Sequence, residues 1–272
     1  MLNTTRAAGS TAALAAAAAA TAAGATDAAA QGRLPQASTW GGFFIGGSIG
    51  GSWLNSSGKG STAQQVLQGY TASLTTGGVE SVGNSDAFNA IGGLQGGFNW
   101  QNGRTVYGFE ADFSWLGKKN ATSSGTLQLT YGNIGYNGTS SRQSRVEAVA
   151  TFRGRFGYDF NGTMPYLTAG LALGQIKSTW SFSGVNSLYG ITTVAATSKT
   201  SWEPGFVVGG GVEQKLAGNW SIRADVQWMK FAEQKLNNPV ANTTIAAITG
   251  NGGTINFQNS LAIAKFGLNY RF

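Results

Sequence analysis

A two-residue alternation of apolar and polar side chains recurs from Trp40 to the final residue, and it constrains this chain more than any other feature. It is cleanest in Ser260–Phe272, SLAIAKFGLNYRF. Ala262, Ala264, Phe266, Leu268, Tyr270 and Phe272 share one parity; Ile263, Lys265, Gly267, Asn269 and Arg271 share the other. Successive side chains of a strand point to opposite sides, so this segment is a strand with one apolar face and one largely polar face.

Seven earlier segments repeat the scheme. Trp40–Trp53 sets Phe43, Ile45, Ile49 and Trp53 against glycine and serine, and Ala87–Gln101 sets Phe88, Leu94, Phe98 and Trp100 against Asn89, Gln95 and Asn99. Val106–Leu116 opposes Tyr107, Phe109, Phe113 and Trp115 to Glu110, Asp112 and Ser114. In Arg145–Asp159 the outer set is Val146, Ala148, Ala150, Phe152, Phe156 and Tyr158, facing Glu147, Thr151, Arg153 and Arg155. Pro165–Ile176, Trp202–Leu216 and Trp220–Phe231 follow, making about eight strands with the last.

The separators come in two sizes. Asn102-Gly103, Asn161-Gly162 and Ala217-Gly218-Asn219 are short and suit tight hairpins, because Asn and Gly tolerate positive φ. The stretches 54–86, 117–143, 177–201 and 232–258 are long and polar. Strict alternation of the two places turns at one end of an antiparallel meander and loops at the other. The expected fold is therefore all-β, an eight-stranded antiparallel barrel over residues 40–272 with four long loops. A soluble up-and-down barrel turns its apolar face inward, whereas a membrane barrel turns it to lipid. Tryptophan favours lipid. Trp40, Trp100 and Trp220 fall at the turn end, and Trp53, Trp115, Trp202 and Trp228 at the loop end, as two girdles at the membrane–water boundaries would.

The N-terminal stretch is different material. Arg6 precedes an alanine-rich run, and Ala28-Ala29-Ala30 offers a small-residue cleavage site before Gln31. Residues 1–30 are expected to be a secretory signal peptide, with an organellar transit peptide as the alternative, and 31–39 a linker. Beyond them no apolar run approaches the roughly 20 residues of a spanning helix. The chain has no cysteine and no histidine, which excludes disulfides, thiolate metal sites and the commonest general base.

Several segments together resemble small Gram-negative outer-membrane β-barrels of the porin-like, OmpA-membrane-domain type. They are Trp40-Gly41-Gly42-Phe43-Phe44-Ile45-Gly46-Gly47, Tyr107-Gly108-Phe109-Glu110-Ala111-Asp112, Arg153-Gly154-Arg155-Phe156-Gly157-Tyr158 with Met164-Pro165-Tyr166-Leu167, Gly209-Gly210-Gly211-Val212-Glu213, and Phe266 to Phe272. The likeness spans residues 40–272 and implies an integral barrel of the outer membrane, with short turns in the periplasm and long loops outside. It implies no single activity. It also implies that the terminal aromatics Tyr270 and Phe272 are read by the barrel-assembly machinery. With no peptidoglycan-binding domain after Phe272, wall anchoring is not expected.

The expected lumen face carries Glu110, Asp112, Glu147, Glu213 and Asp225 against Arg145, Arg153, Arg155, Arg223, Lys265 and Arg271. About eight strands leave an interior just wide enough for side chains, so these charges are expected to pair and plug the barrel. A narrow ion-conducting porin is the alternative, and a loop-borne adhesin or ligand receptor a third. Hairpin spacing around Gly218 puts Glu213 opposite Arg223. No catalytic residue, cofactor or metal is expected: the carboxylates lie close to arginines and no histidine is present to activate a hydroxyl. The net charge of +7 comes from scattered basic residues, which does not suit nucleic acid. Lys118, Lys119, Lys177, Lys199, Lys230 and Lys235 lie towards the loop end, where outer-membrane lipids and lipopolysaccharide are the expected partners. A monomer is favoured.

Overall fold

The alternation resolves into ten strands in the computed structural model, which describes residues 40–60, 85–131, 134–186, 192–237 and 254–272. They are β1 (Gly42–Gly60), β2 (Ser85–Asn102), β3 (Thr105–Leu116), β4 (Ala121–Tyr131), β5 (Ile134–Tyr158), β6 (Thr163–Asn186), β7 (Thr192–Lys215), β8 (Trp220–Phe231), β9 (Gln234–Asn237) and β10 (Thr254–Arg271). All pairings are antiparallel, in the order β1-β2-β3-β5-β6-β7-β8-β10, and β10 pairs back onto β1. The sheet closes, so the ring has no edge among these eight strands. β4 continues β3 after a break at 117–120 and pairs β5 higher up, from Ala121↔Ser144 to Tyr131↔Ile134. β9 continues β8 in the same way against β10. Eight walls are thus built from ten pieces.

The three short turns fall where the sequence places them. Gly103 (φ 60), the pair Asn161 (φ 56) and Gly162 (φ 99), and Gly218 (φ 69) take the left-handed conformations of tight hairpins. The long separators differ from expectation. Much of 117–143 and 177–201 is strand, with β6 and β7 paired as far as Val185↔Thr192. The described parts of 54–86 and 232–258 are strand too, while 61–84 and 238–253 lie outside the described residues. Polarity on both faces looked like loop, but once the wall leaves lipid a strand's outer face is free to be polar.

Facing follows the parity rule. Leu171 and Phe266 are 69% and 67% exposed on the outer wall, whereas Glu110 and Arg153 are 0% and 1% exposed inside. The outward apolar run on β10 covers Ala262 to Phe272, about the length of a membrane-spanning strand. Above it the outward residues are Ser260, Gln258 and Asn256; on β6 the sequence Leu167, Ala169, Leu171, Leu173 gives way to Gln175, Lys177 and Thr179. β6 has 24 residues, roughly 80 Å of strand and about 60 Å of height at a tilt near 40°, against an apolar band of about 25 Å. The wall therefore projects well beyond the band on the loop side.

Candidate functional site

The interior of the ring is filled in three layers. The lowest, at the turn end, is a small apolar plug of Trp40, Val106, Met164 and Tyr166. Trp40 precedes β1 and enters through Gly42, whose φ of 107 requires glycine. Its backbone N–H donates to Gln101 Oε1 at 2.5 Å, and its ring lies beside the Lys215 ammonium (5.0 Å) and the Arg271 guanidinium (5.3 Å). Trp40 is 0% exposed, so it does not belong to the girdle assigned to it. It shares the inward parity of Phe44 and Ser48, and Gly42 turns it under the barrel.

The middle layer is an ion network held by six strands. Glu110 on β3 accepts from Arg153 on β5 and, at 2.6 Å, from Arg223 on β8, with Arg155 at 3.7 Å. β3 and β8 stand on opposite sides of the ring, so Arg223 spans the lumen. Asp112 holds Arg153 at 2.6 Å and Lys265 at 3.3 Å, and accepts the Thr151 hydroxyl at 2.7 Å. Glu213 binds Arg155, accepts from Ser221 (2.6 Å) and Asn269 (3.0 Å), and has Arg271 at 3.6 Å. Asp225 takes the Arg223 Nε at 3.1 Å and the Gln227 amide at 2.7 Å. The Tyr166 ring lies 3.9 Å from Arg155 and 5.3 Å from Arg223. A Cβ at Gly211 would stand 2.8 Å from the Tyr166 hydroxyl, so glycine there makes room for that ring. Burying charge is costly unless each ion is paired, and interlocking gives every ion here an opposite charge, although Arg153 Nε and Arg155 Nε keep no hydrogen-bond partner.

The structure thus brings together Glu110, Asp112, Arg153, Arg155, Glu213, Arg223, Asp225 and Lys265, with Arg271 beside them. Glu213 and Arg223 are register partners across the β7–β8 hairpin, as spacing implies, yet their side chains bond elsewhere. Each reaches inward to a charge on another strand. Glu147 is not in the network. The register shifts between Val146 and Ala148, and above that bulge the faces exchange: Val146 turns inward (1% exposed), while Glu147 and Arg145 pair at 2.5 Å on the outer side. One extra residue in a strand reverses parity beyond it, which no alternation count reveals.

The upper layer was not anticipated. Leu54, Ile91, Leu116, Val149, Ile176, Val207, Met229, Leu261 and Ile263 form one buried apolar cluster inside the ring. Val207, Met229, Leu261 and Leu54 are successive register partners round β7, β8, β10 and β1. The signal was present: on the inward parity of β10, Asn269 and Lys265 are followed by Ile263 and Leu261. Higher still, Ser144 on β5 donates to Asn259 on β10 at 2.9 Å. β5 and β10 face each other across the ring, so two short side chains meeting there mean the wall is flattened.

Outside, Trp100, Trp220, Tyr270 and Phe272 cluster at the turn end, with ring pairs Trp100–Tyr107 (5.8 Å), Trp220–Tyr270 (5.1 Å) and Tyr270–Phe272 (5.2 Å). Trp53, Trp115, Trp202 and Trp228 are exposed on the outer wall nearer the loop end. Trp180 is instead buried inside the projecting wall.

A family model described as outer membrane protein beta-barrel domain matches residues 10–272. The chain is 30% identical over 185 residues to the 31 kDa outer-membrane immunogenic protein of Brucella melitensis, covering 67% of this chain and 66% of that one. It is 33% identical over 135 residues to the 22 kDa outer membrane protein of Rhizobium leguminosarum bv. viciae, covering 50% and 49%. The chain thus spans between half and two thirds of the length of these relatives. Among solved structures, OprG from Pseudomonas aeruginosa matches at 13% identity and TM-score 0.43, covering 85% of this chain and 97% of that one.

Proposed function

From the premise that this chain belongs to the outer-membrane β-barrel family and resides in the outer membrane of a Gram-negative bacterium, we propose that it is a closed, structural barrel. It contributes to envelope integrity and presents a projecting surface for contact, and it carries no solute. The observation that supports this is the layering of the lumen. An apolar plug, an ion network whose carboxylates are all bound by cations and a second apolar layer lie one above another, with the arginines and carboxylates of the network 0–7% exposed. A water-filled pore needs polar side chains facing free water, whereas here each carboxylate is bound by a cation of another residue. The same saturation argues against acid–base catalysis by Glu110 and Asp112, since neither oxygen pair is open to a substrate.

The description of the Brucella relative as immunogenic bears on the projecting wall, which is the part of such a barrel that lies outside the bilayer. Of the terminal aromatics at the turn end, Phe272 is exposed and Tyr270 half-buried beside it, where assembly factors would reach them. Planar-bilayer recording of the refolded protein tests the main reading. The expected record is flat at all voltages that the membrane withstands; reproducible unitary current steps would replace the closed barrel with a narrow porin.

A further inference from the structure

The bulge in β5 places an unusual pair on the outer wall. Arg145 on β5 and Lys177 on β6 are direct register partners, both outside the ring and partly exposed. Like charges directly opposite each other on a sheet are destabilising unless an anion lies between them. Glu147 accepts both Nε (2.8 Å) and Nη2 (2.5 Å) of Arg145, which leaves Lys177 with no acidic partner among the described residues. Without the bulge Arg145 would point into the lumen; its outward placement is a property of that one register shift.

The level of the pair matters as much as its charge. On β6 Lys177 is the second outward residue beyond Leu173, which ends the continuous apolar run. On β5 Glu147 and Arg145 follow Ala150 and Phe152 across the bulge. Two strands round from β6, Lys230 is the next outward residue after Trp228. Trp115 on β3 and Trp202 on β7 flank this sector on the outer wall and mark the interface. Cations one or two rows above such a girdle sit at headgroup height. The opposite side of the ring differs: beyond Trp53 and Ala262 the outward residues are Asn55, Ser260 and Gln258, all neutral. At this level Arg145, Lys177 and Lys230 thus form a cationic sector on β5, β6 and β8, while Lys118, Lys119 and Lys235 are exposed cations elsewhere on the loop side.

We propose that Arg145 and Lys177, with Lys230 extending the sector, hold the phosphate groups of a phosphorylated glycolipid in the outer leaflet. A phosphate there would neutralise Lys177, which Glu147 leaves without an acid, and accept charge-assisted hydrogen bonds from it and from the Arg145 nitrogen that Glu147 does not hold. The acyl chains of such a lipid would lie along Leu171, Leu173, Phe152 and Phe206 directly below. This surface is independent of whether the lumen conducts.

The test is native mass spectrometry of the heat-modifiable, folded barrel titrated with bisphosphorylated lipid A and with an acyl-matched glycolipid lacking phosphate. Lipid A should be retained and the phosphate-free lipid should not. Each cation near a charged surface is worth enough for roughly a fivefold change, so Lys177→Gln should weaken retention about fivefold and Arg145→Gln with Lys177→Gln about twentyfold. Lys118→Gln with Lys119→Gln, which removes two exposed cations elsewhere on the loop side, should leave it unchanged. Wild-type affinity in the Arg145/Lys177 double variant, or an equal loss in the Lys118/Lys119 one, would overturn the site. Lys177→Gln alone carries the test if the double variant folds poorly, since Lys177 has no ionic partner to strand.

Discussion

The lower and upper parts of this barrel obey opposite rules. In the lower part the outer wall is apolar, with Phe43, Leu167, Leu171 and Phe266 exposed, and the interior is ionic around Glu110 and Glu213. Higher up, the outer wall passes from the apolar band through Trp53, Trp115, Trp202 and Trp228 to Gln175, Lys177, Ser260 and Gln258, and the interior becomes a packed apolar core around Leu54, Val207, Met229 and Leu261, which begins behind the band at Val207 and Ile263. The same strands run through both. The interior changes before the outside does: buried ions held by pairing give way to apolar packing behind the top of the band, and the outer wall turns polar only above the tryptophans. The lower ring stays round enough for Arg223 to span it to Glu110, whereas the upper ring flattens until Ser144 meets Asn259, as a water-surrounded sandwich would.

The contrast can be broken most forcefully from the inside of the lower part. Glu110→Gln removes the shared anion of Arg153 and Arg223 and leaves buried cations short of a partner, a loss of about 3–5 kcal/mol. Glu147→Gln, whose carboxylate pairs on the outer rim, should cost no more than about 1 kcal/mol. Urea titrations of both in lipid vesicles should separate them clearly; equal losses would mean the lower interior is not dry.

Next in size is a cavity in the upper core. Leu261 is 0% exposed, and Leu261→Ala should destabilise by roughly 2–5 kcal/mol, as for a buried core residue of a soluble protein. Because Leu261 packs inside the ring and touches no lipid, the loss should be the same in thin and thick bilayers. A strong dependence on acyl-chain length would put Leu261 inside the membrane and erase the boundary drawn here.

A charge on the outer wall then sharpens where the boundary lies. Leu171→Arg, midway up the apolar band, should cost about 2–4 kcal/mol, while an outward arginine at Thr179 should be near neutral. If Thr179→Arg proved as damaging, the projecting wall would be immersed in lipid.

The smallest expected effect on stability is at Phe272, which is 75% exposed and touches Tyr270. Phe272→Ala can lose only a fraction of the roughly 1.5–3 kcal/mol of a buried aromatic. Its effect should show instead as a reduced amount of heat-modifiable barrel in cells. Normal cellular yield combined with a much lower urea midpoint would make Phe272 an ordinary packing residue and remove the assembly reading.

Alternation determined that the chain is all-β and sorted its two faces, tryptophan placement decided which face meets lipid, turn residues placed the three tight turns, and parity put most of the charges in the lumen, Arg145 and Glu147 excepted. Each of these depends on neighbours one or two positions apart, or on the positive φ that Gly103, Gly162 and Gly218 supply. Resemblance added the compartment. Only the tertiary structure decided who pairs with whom: Glu213 and Arg223 share a rung but bond to Arg155 and Glu110, because long side chains in a closed ring reach across it rather than along it. It also decided the two corrections. Trp40 lies under the barrel because one glycine turns the chain before β1 begins, and Glu147 lies outside because one bulge inverts the count above it. The upper core was written in Ile263 and Leu261 but could not be weighed from sequence, since whether inward apolar residues of different strands meet in one cluster depends on how the ring closes and flattens.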